Sequence, residues 1–262
     1  MHHKINLCVI GAAGRLGLCV LNALLHSEFL GKFNLVGAIV SKQSAHQNQS
    51  VASLSDLQTK LRFTNDLSQL LASSGDIIDI IIDCSLPESS LQTVKLIQQT
   101  KLVSKKLVLC ATGFSSEQQE AIRQAANFLS IVFVPNASIG MNLTHALAKY
   151  AAKKIPELTD IQILETHHVH KKDAPSGAAK QLANSIEQIT GQFPTIRSTR
   201  VGETIGEHTL LFNLNGEQIQ LTHKALDRSI FALGALRAAT WVNQVTQPGF
   251  YTMEDVLFLN AK

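Results

Sequence analysis

Apolar residues fall in short runs separated by helical spacings through the first half of the chain. Ile5–Ile10 is apolar apart from Asn6 and reads as a buried strand. Helical spacing follows over Leu16–Leu30, and Asn34–Val40 reads as a second strand. Leu67–Leu71 predicts a short helix with Asn65 or Asp66 as its cap. Ile77–Cys84 is a strong buried strand, Ser89–Gln99 a helix and Leu107–Cys110 a strand. Ser116–Leu129 predicts a helix and Ile131–Val134 another strand. Apolar strands alternating with helices imply a parallel sheet covered on both faces.

The second half has a different rhythm. A helix over Met141–Lys154 leads to a strand, Asp160–His167, and a helix from Ser176. Glu207–Leu214 and Gln218–Ala225 alternate, and Asn215-Gly216 between them signals a hairpin. That alternation is expected to leave one apolar face for a partner. Ser229–Asn243 is helical. The predicted class is α/β, a Rossmann-like parallel-sheet domain joined to an α+β domain on a mixed or antiparallel sheet. The boundary is expected near Pro135–Gly140, with residues 1–136 in the first domain and 137–236 in the second. The segment from about 237 to 262 is expected to pack back on the first. Gln43–Ser50 is the one notable polar, loop-like tract, and no internal repeat is present.

Gly11-Ala12-Ala13-Gly14-Arg15-Leu16-Gly17 links the first strand to the first helix. Glycine allows a tight turn and close backbone approach, and the helix start offers unpaired N–H groups to a phosphate. The spacing is a variant of the dinucleotide pattern G-x-G-x-x-G, with Ala13 at the second glycine. The end of the second strand carries Ser41 and Lys42 in place of an acid. This favours NADPH over NADH, because a cation pairs with a 2′-phosphate that a carboxylate would repel.

Glu165-Thr166-His167-His168-Val169-His170-Lys171-Lys172-Asp173 packs three histidines, two lysines and two acids into one segment. It runs from a strand end towards Pro175-Ser176-Gly177, a helix start. Histidine exchanges protons near neutral pH, and lysine supplies charge for a carboxylate. Two other readings compete. One is a metal site, with His168 and His170 on one strand face and Asp173 joining, but no second cluster completes it. The other is a solvated polar loop.

The net charge of +3 comes without a run of Lys and Arg, so nucleic acid is not indicated, while an acidic small molecule is compatible. No apolar run reaches the roughly 18 residues of a membrane helix, and the N-terminus reads as lacking a secretory signal. Cys8, Cys19, Cys84 and Cys110 show no Cys-x-x-Cys spacing. They read as buried free thiols suited to a reducing cytoplasm.

The segment Glu165–Ala179 resembles the signature E-x-H-H-x-x-K-x-D-A-P-S-G-T-A of the dihydrodipicolinate (4-hydroxy-tetrahydrodipicolinate) reductase family. The resemblance extends over nearly the whole chain. Gly14-Arg15-Leu16-Gly17, Asp83-Cys84-Ser85-Leu86-Pro87, Ala111-Thr112-Gly113-Phe114 and Asn136-Ala137-Ser138-Ile139-Gly140 resemble further family motifs. So do Arg200-Val201-Gly202 with Gly206-Glu207-His208, and Arg228–Phe231 with Gly234-Ala235. The resemblance implies reduction of a cyclic imine dicarboxylate by NADPH or NADH in lysine and diaminopimelate synthesis. It implies a homotetramer built through the hairpin sheet. It casts His167 as proton donor or acceptor and Lys171 as a proton donor that meets substrate. His168, Gly177 and Ala178 would bind substrate. Gly11, Ala12, Ala13, Gly14, Arg15, Leu16, Lys42, Cys110, Ala111, Thr112, Val134, Pro135, Asn136, Ala137 and Arg228 would hold the nucleotide; no metal is implied. The chain departs from the family at Ala178, where a threonine hydroxyl is lost, at Cys110-Ala111 and at Ala137. Another two-domain reductase and a non-catalytic nucleotide sensor are the alternatives. The first lacks reason for the E-x-H-H-x-x-K segment. The second would have favoured loss of His167 or Lys171, and both are present.

Overall fold

A computed structural model describes residues 4–74, 76–100, 105–155 and 160–259. In chain order the elements are β1 (Ile5–Ile10), α1 (Arg15–Ala23), β2 (Phe33–Ile39), α2 (Leu67–Ser74), β3 (Ile80–Asp83), α3 (Pro87–Gln99), β4 (Lys106–Leu109), α4 (Ser116–Ala125) and β5 (Ser130–Phe133). They continue with α5 (Ile139–Lys154), β6 (Asp160–His167), α6 (Gly177–Thr190), β7 (Thr195–Arg200), β8 (Gly206–Asn213), β9 (Gln218–Ala225), α7 (Ser229–Gln244), β10 (Gly249–Thr252) and α8 (Met253–Phe258). The chain divides into two compact units, one of residues up to Ala137 together with those from Phe231, the other Ser138–Ile230.

The first unit is an open parallel sheet in the order β10-β5-β4-β3-β1-β2. Strands buried on both faces read as apolar runs; all four residues of β3 are buried, three isoleucines and then Asp83, whose carboxylate accepts the Ser85 N–H at 2.9 Å. Ile10, Ile81, Leu107, Leu109 and Ile131 build the core on one face, packed with Val94, Ile97 and Ile122 of the helices. Local chemistry sets the helix starts. Pro87 opens α3, Ser115 and Gln118 form a capping box on α4, and the Asp66 carboxylate accepts the Gln69 N–H at 2.8 Å before α2.

Helix α1 stops at Ala23, short of the helical spacing that runs to Leu30. From Leu24 the chain tightens into turns that bond three residues back, ending at Gly31 with φ +77°. The apolar positions continue because Leu24 and Phe29 still turn into the core. β10 and α8 had no sequence signal. β10 has only four half-buried residues and pairs β5 at the sheet edge. α7 packs within this unit, and Arg237 forks onto Glu28 at 2.6 and 2.7 Å.

The second unit is a mixed sheet, β7-β6-β8-β9, with β7 parallel to β6 and the others antiparallel. The hairpin turns at Gly216, φ +84°, with Leu214 N–H donating to Glu217 C=O at 2.9 Å. β7 (TIRSTR) is a polar edge strand, so it shows no hydrophobic alternation. The expected apolar face on the hairpin is corrected. Leu210, Phe212 and Leu221 do lie on one face, but α5 and α6 cover it together with Ile161 and Ile163. The other face is mostly polar, with Leu164 and Leu211 among its polar residues: Lys224 pairs with Glu207 at 3.0 Å and Thr209 bonds Thr222 at 3.0 Å.

Candidate functional site

The carboxyl ends of the parallel strands carry the glycine turn. Gly11 has φ +73°, and a Cβ there would lie 2.8 Å from the Cys84 carbonyl oxygen. A Cβ on Gly17 would lie 2.2 Å from the Gly11 carbonyl oxygen, so α1 can pack this closely only on glycine. Ala12 N–H donates to Ile39 C=O at 2.9 Å, tying the turn to the end of β2. Gly14 is the N-cap of α1 and has no side chain to occupy the first-turn N–H groups. The turn therefore fits a phosphate by its backbone. Arg15 beside it is exposed.

The other expected nucleotide residues follow strands of the same sheet. Cys110 N–H donates to Asp83 C=O at 2.8 Å, and Val134 N–H to Leu109 C=O at 2.8 Å. Cys110, Ala111, Val134 and Ala137 are buried, whereas Thr112 and Pro135 are exposed and Asn136 half-buried. Ala137 lies against α7, where a Cβ on Gly234 would come within 1.8 Å of its carbonyl oxygen. Ser41 and Lys42 are exposed in a turn that follows β2, closed by Ser44 N–H on Ser41 C=O at 3.0 Å. Arg228 is exposed just before α7, in the second unit.

In the second unit, chemistry gathers at the end of β6. Alternation puts Glu165 and His167 on the helix-covered face with Ile161 and Ile163. Glu165 is 1% exposed. Arg200, at the end of β7, forks onto both its oxygens at 2.9 and 3.1 Å. His167 Nδ1 lies 2.5 Å from Glu165 Oε2, and Ser176 N–H reaches Oε1 at 3.3 Å. Burial pushes the Glu165 carboxyl up, but the bonds from Arg200, Ser198 and His167 outweigh it, so it lies below its usual range. With Nδ1 held, the other ring nitrogen of His167 faces Gly206, where a Cβ would come within 3.0 Å of Nε2. Burial lowers the His167 pKa; Glu165 opposes that, while Lys171 and Arg200 add to it.

His208 was not among the expected functional residues. It stands opposite Glu165 on β8, and its ring meets His167 edge-on at 5.1 Å between centroids. Its Nε2 bonds Ser176 Oγ at 3.0 Å, and the same oxygen caps α6 by accepting the Ala179 N–H at 3.2 Å. Arg200 and Glu165 were also missed as functional groups. The signal was available: Glu165-x-His167 is a same-face pair on a strand, and Arg200, Gly206 and His208 stand in one resembled motif.

The strand face that His168 and His170 would share in the competing metal reading does not form. β6 ends at His167, and a turn closes with Lys171 N–H on His168 C=O at 3.1 Å. His170 is exposed, whereas His168 Nδ1 is buried without a hydrogen-bond partner among the described residues. Lys171 Nζ pairs with Asp173 at 2.8 Å. Gly177 and Ala178 form the first turn of α6, where a Cβ on Gly177 would meet nothing within 4 Å. Glu165, His167 and His208 each offer a ligand atom within 4.8 Å of the others, so the fold supplies a triad the sequence spacing did not show. Both Glu165 oxygens accept from the Arg200 cation, which competes with a metal ion for them.

Burial, then the neighbouring His167, pushes His208 down to about 4. The unfolded chain takes up this proton near pH 6.5, by about. Its contribution is therefore full above that value, falls as pH drops, and levels off near 4. Unfolding free energy is expected to fall by about 2 kcal/mol from pH 7 to 5 through this group. Urea midpoints of His208→Gln at both pH values should lack that component; an unchanged pH dependence would refute the assignment.

A sheet of this topology with a phosphate-fitting turn, in one chain with an oriented proton-carrying histidine, places the protein among the nicotinamide-dependent oxidoreductases. Residues 5–137 match the family described as dihydrodipicolinate reductase, N-terminus, and residues 140–257 match its C-terminus. The chain belongs to the dihydrodipicolinate reductase family. A 4-hydroxy-tetrahydrodipicolinate reductase from Colwellia psychrerythraea (strain 34H / ATCC BAA-681) is 35% identical over 280 aligned positions, covering 98% of this chain and 99% of that protein. A dipicolinate-bound dihydrodipicolinate reductase from Paenisporosarcina sp. TG-14 has the same fold, with TM-score 0.78 and 21% identity over 98% of this chain and 100% of that one. An amine dehydrogenase from Mycobacterium smegmatis shares the fold at TM-score 0.68 and 12% identity, over 97% and 96% of the two chains. No helix among the described residues is long and apolar enough to cross a membrane.

Proposed function

We propose that this chain reduces the cyclic imine dicarboxylate 4-hydroxy-tetrahydrodipicolinate to tetrahydrodipicolinate, a step of lysine and diaminopimelate synthesis in the cytoplasm, with NADPH preferred over NADH. The observation that carries the reading is His167, fixed by Glu165 through Nδ1 with Nε2 directed past Gly206. A bound nicotinamide would supply a hydride to the ring carbon that loses the 4-hydroxyl as water, a carbon conjugated with the C=N, which the product keeps. The chain supplies the rest. His167 Nε2 delivers a proton to the reduced ring, and Glu165 holds the tautomer and orientation that make this possible. Lys171 and the N–H groups at Gly177 and Ala178 hold the carboxylates, the helix start compensating for the hydroxyl that Ala178 lacks. His168 adds a substrate contact. Gly11 to Leu16 and the loops at Cys110–Thr112 and Val134–Ala137 hold the nucleotide. A coupled assay with this substrate and each nucleotide tests the reading. Binding of NADPH without its oxidation would favour a sensor instead.

Lys42 accounts for the nucleotide preference. It stands exposed after β2, where its charge meets a ribose 2′-phosphate but has no such partner in NADH. Exposure and salt keep the effect modest. Lys42→Glu is expected to raise the KM for NADPH roughly tenfold while sparing NADH. Equal effects on both would remove Lys42 as the reader of the phosphate.

The active form is a homotetramer assembled through the second unit's sheet, whose uncovered face offers polar side chains for hydrogen bonds together with Leu164 and Leu211. Light scattering should read four chains per particle at micromolar concentration, and a monomer would refute it.

A further inference from the structure

β3 and β4 are parallel neighbours, with Asp83 opposite Leu109. One residue further, each strand carries a cysteine, so the same register sets Cys84 beside Cys110. Neighbouring strands lie about 4.8 Å apart, within the roughly 4.4–6.8 Å between Cα atoms that a disulfide spans. The backbone fixes both residues: Cys84 N–H donates to Ile10 C=O at 2.9 Å and Cys110 N–H to Asp83 C=O at 2.8 Å. The neighbouring Cys110 thiol, then burial, pushes the Cys84 thiol pKa up. Both thiols are free. Cys84 is partly exposed and Cys110 is 7% exposed, at the open ends of their strands. The Cys84 carbonyl lies directly beneath Gly11, at the distance where no Cβ would fit. The pair is thus part of the floor under the glycine turn.

We propose that Cys84 and Cys110 form a dithiol that a hydroperoxide oxidises to a disulfide, and that the oxidised pair weakens NADPH binding at the turn above it. The second half of this proposal rests on the nucleotide-site reading given above. Cys110 sulfur attacks the peroxide; an S–O bond forms, the O–O bond breaks, and an alcohol or water leaves with the thiol proton. Cys84 sulfur then attacks the sulfenic sulfur. An S–S bond forms, the S–O bond breaks, and hydroxide leaves as water with the Cys84 proton. Two thiols give up two electrons and the peroxide takes them. An S–S bond of about 2.05 Å fixes the two side chains, and the strand ends that carry them, in one geometry. A change in the disposition of Cys84 reaches the turn through its carbonyl, which lies where a Cβ on Gly11 would meet it at 2.8 Å.

The test uses the reduced full chain treated with hydrogen peroxide. Intact mass and peptide mapping after alkylation read the thiols, and nicotinamide fluorescence reads NADPH binding. Expected are loss of two hydrogens, a crosslinked peptide joining Cys84 to Cys110, and a Kd for NADPH raised roughly tenfold or more. Dithiothreitol should reverse all three, and bound NADPH should slow the crosslinking. Cys84→Ser should keep its NADPH affinity through the same treatment. No crosslink, or one made to Cys19, overturns the dithiol, and wild-type mapping alone decides this if the variant fails to fold. A mapped crosslink with unchanged affinity overturns the control of binding. Failure of the reduced protein to bind NADPH overturns the nucleotide reading, and that control with it, while the crosslink map stands or falls separately.

Discussion

Replacing His167 by Gln is expected to lower kcat by about a hundredfold or more, with little change in thermal stability. Glutamine still accepts or donates a hydrogen bond beside Glu165, so the local packing survives while the transferable proton is lost. In the free protein, burial holds the imidazole pKa below its ordinary value. A bound dicarboxylate brings negative charge and favours the imidazolium. Substrate binding should therefore take up a proton, and the basic limb of kcat should lie at higher pH than that of kcat/KM. Stopped assays across pH on wild type and variant check both points. Near-wild-type turnover by His167→Gln would remove this histidine from the chemistry.

Arg200→Met should destabilise the fold by about 3 kcal/mol, the low end for stranding one charge of a buried pair. Glu165 is 1% exposed, and both its oxygens take bonds from the guanidinium. His167 and Ser176 remain as partners, which limits the loss. The sign with pH follows from the carboxyl. In the wild type its pKa is lowered, so its contribution is present above the unfolded value of about 4.3 and lost as pH falls through the folded one. Without Arg200, burial dominates and the carboxyl moves up. The variant then suffers most at pH 7 and recovers relative to wild type at pH 5. Urea denaturation at both values reads this. Glu165→Gln/Arg200→Met should be more stable than Arg200→Met alone, since no charge is stranded. An Arg200→Met deficit that is the same at pH 5 and 7 would show that the ion pair is not its source.

Much of this was legible in the residues because core strands and amphipathic helices write their own period. β1, β6 and β9 stand where the pattern predicts them, and Asp66 and Ser176 start α2 and α6 from cap chemistry alone. What stayed hidden has physical causes. β7 is polar along its length because it is an edge strand, and β10 is too short to alternate. Leu24–Leu30 keeps helical spacing although the chain turns, because burial rewards the spacing in either geometry. The hairpin's apolar face was visible, but α5 and α6 claim it through pairings remote in sequence. The histidine segment announced itself by composition. Its partners Arg200 and His208 arrive from β7 and β8 through register, which no local pattern records.

β6 carries Ile161, Ile163, Glu165 and His167 at alternate positions on one side. The first two anchor the strand in a packed core and the last two are the pair proposed for proton transfer, so the place of the imidazole is inherited from rigid packing. Inserting or deleting one residue in β6 would turn all four to the opposite face together. The turns around it, Val169–Pro175 and Val201–Ile205, lie outside the strands and helices and carry no such constraint. Substrate choice can drift there by changes of loop length and composition while the proton stays where it is delivered. For protein engineering the division is practical: libraries belong in the two loops, with Lys171 and Asp173 kept, and β6 is the part to leave untouched.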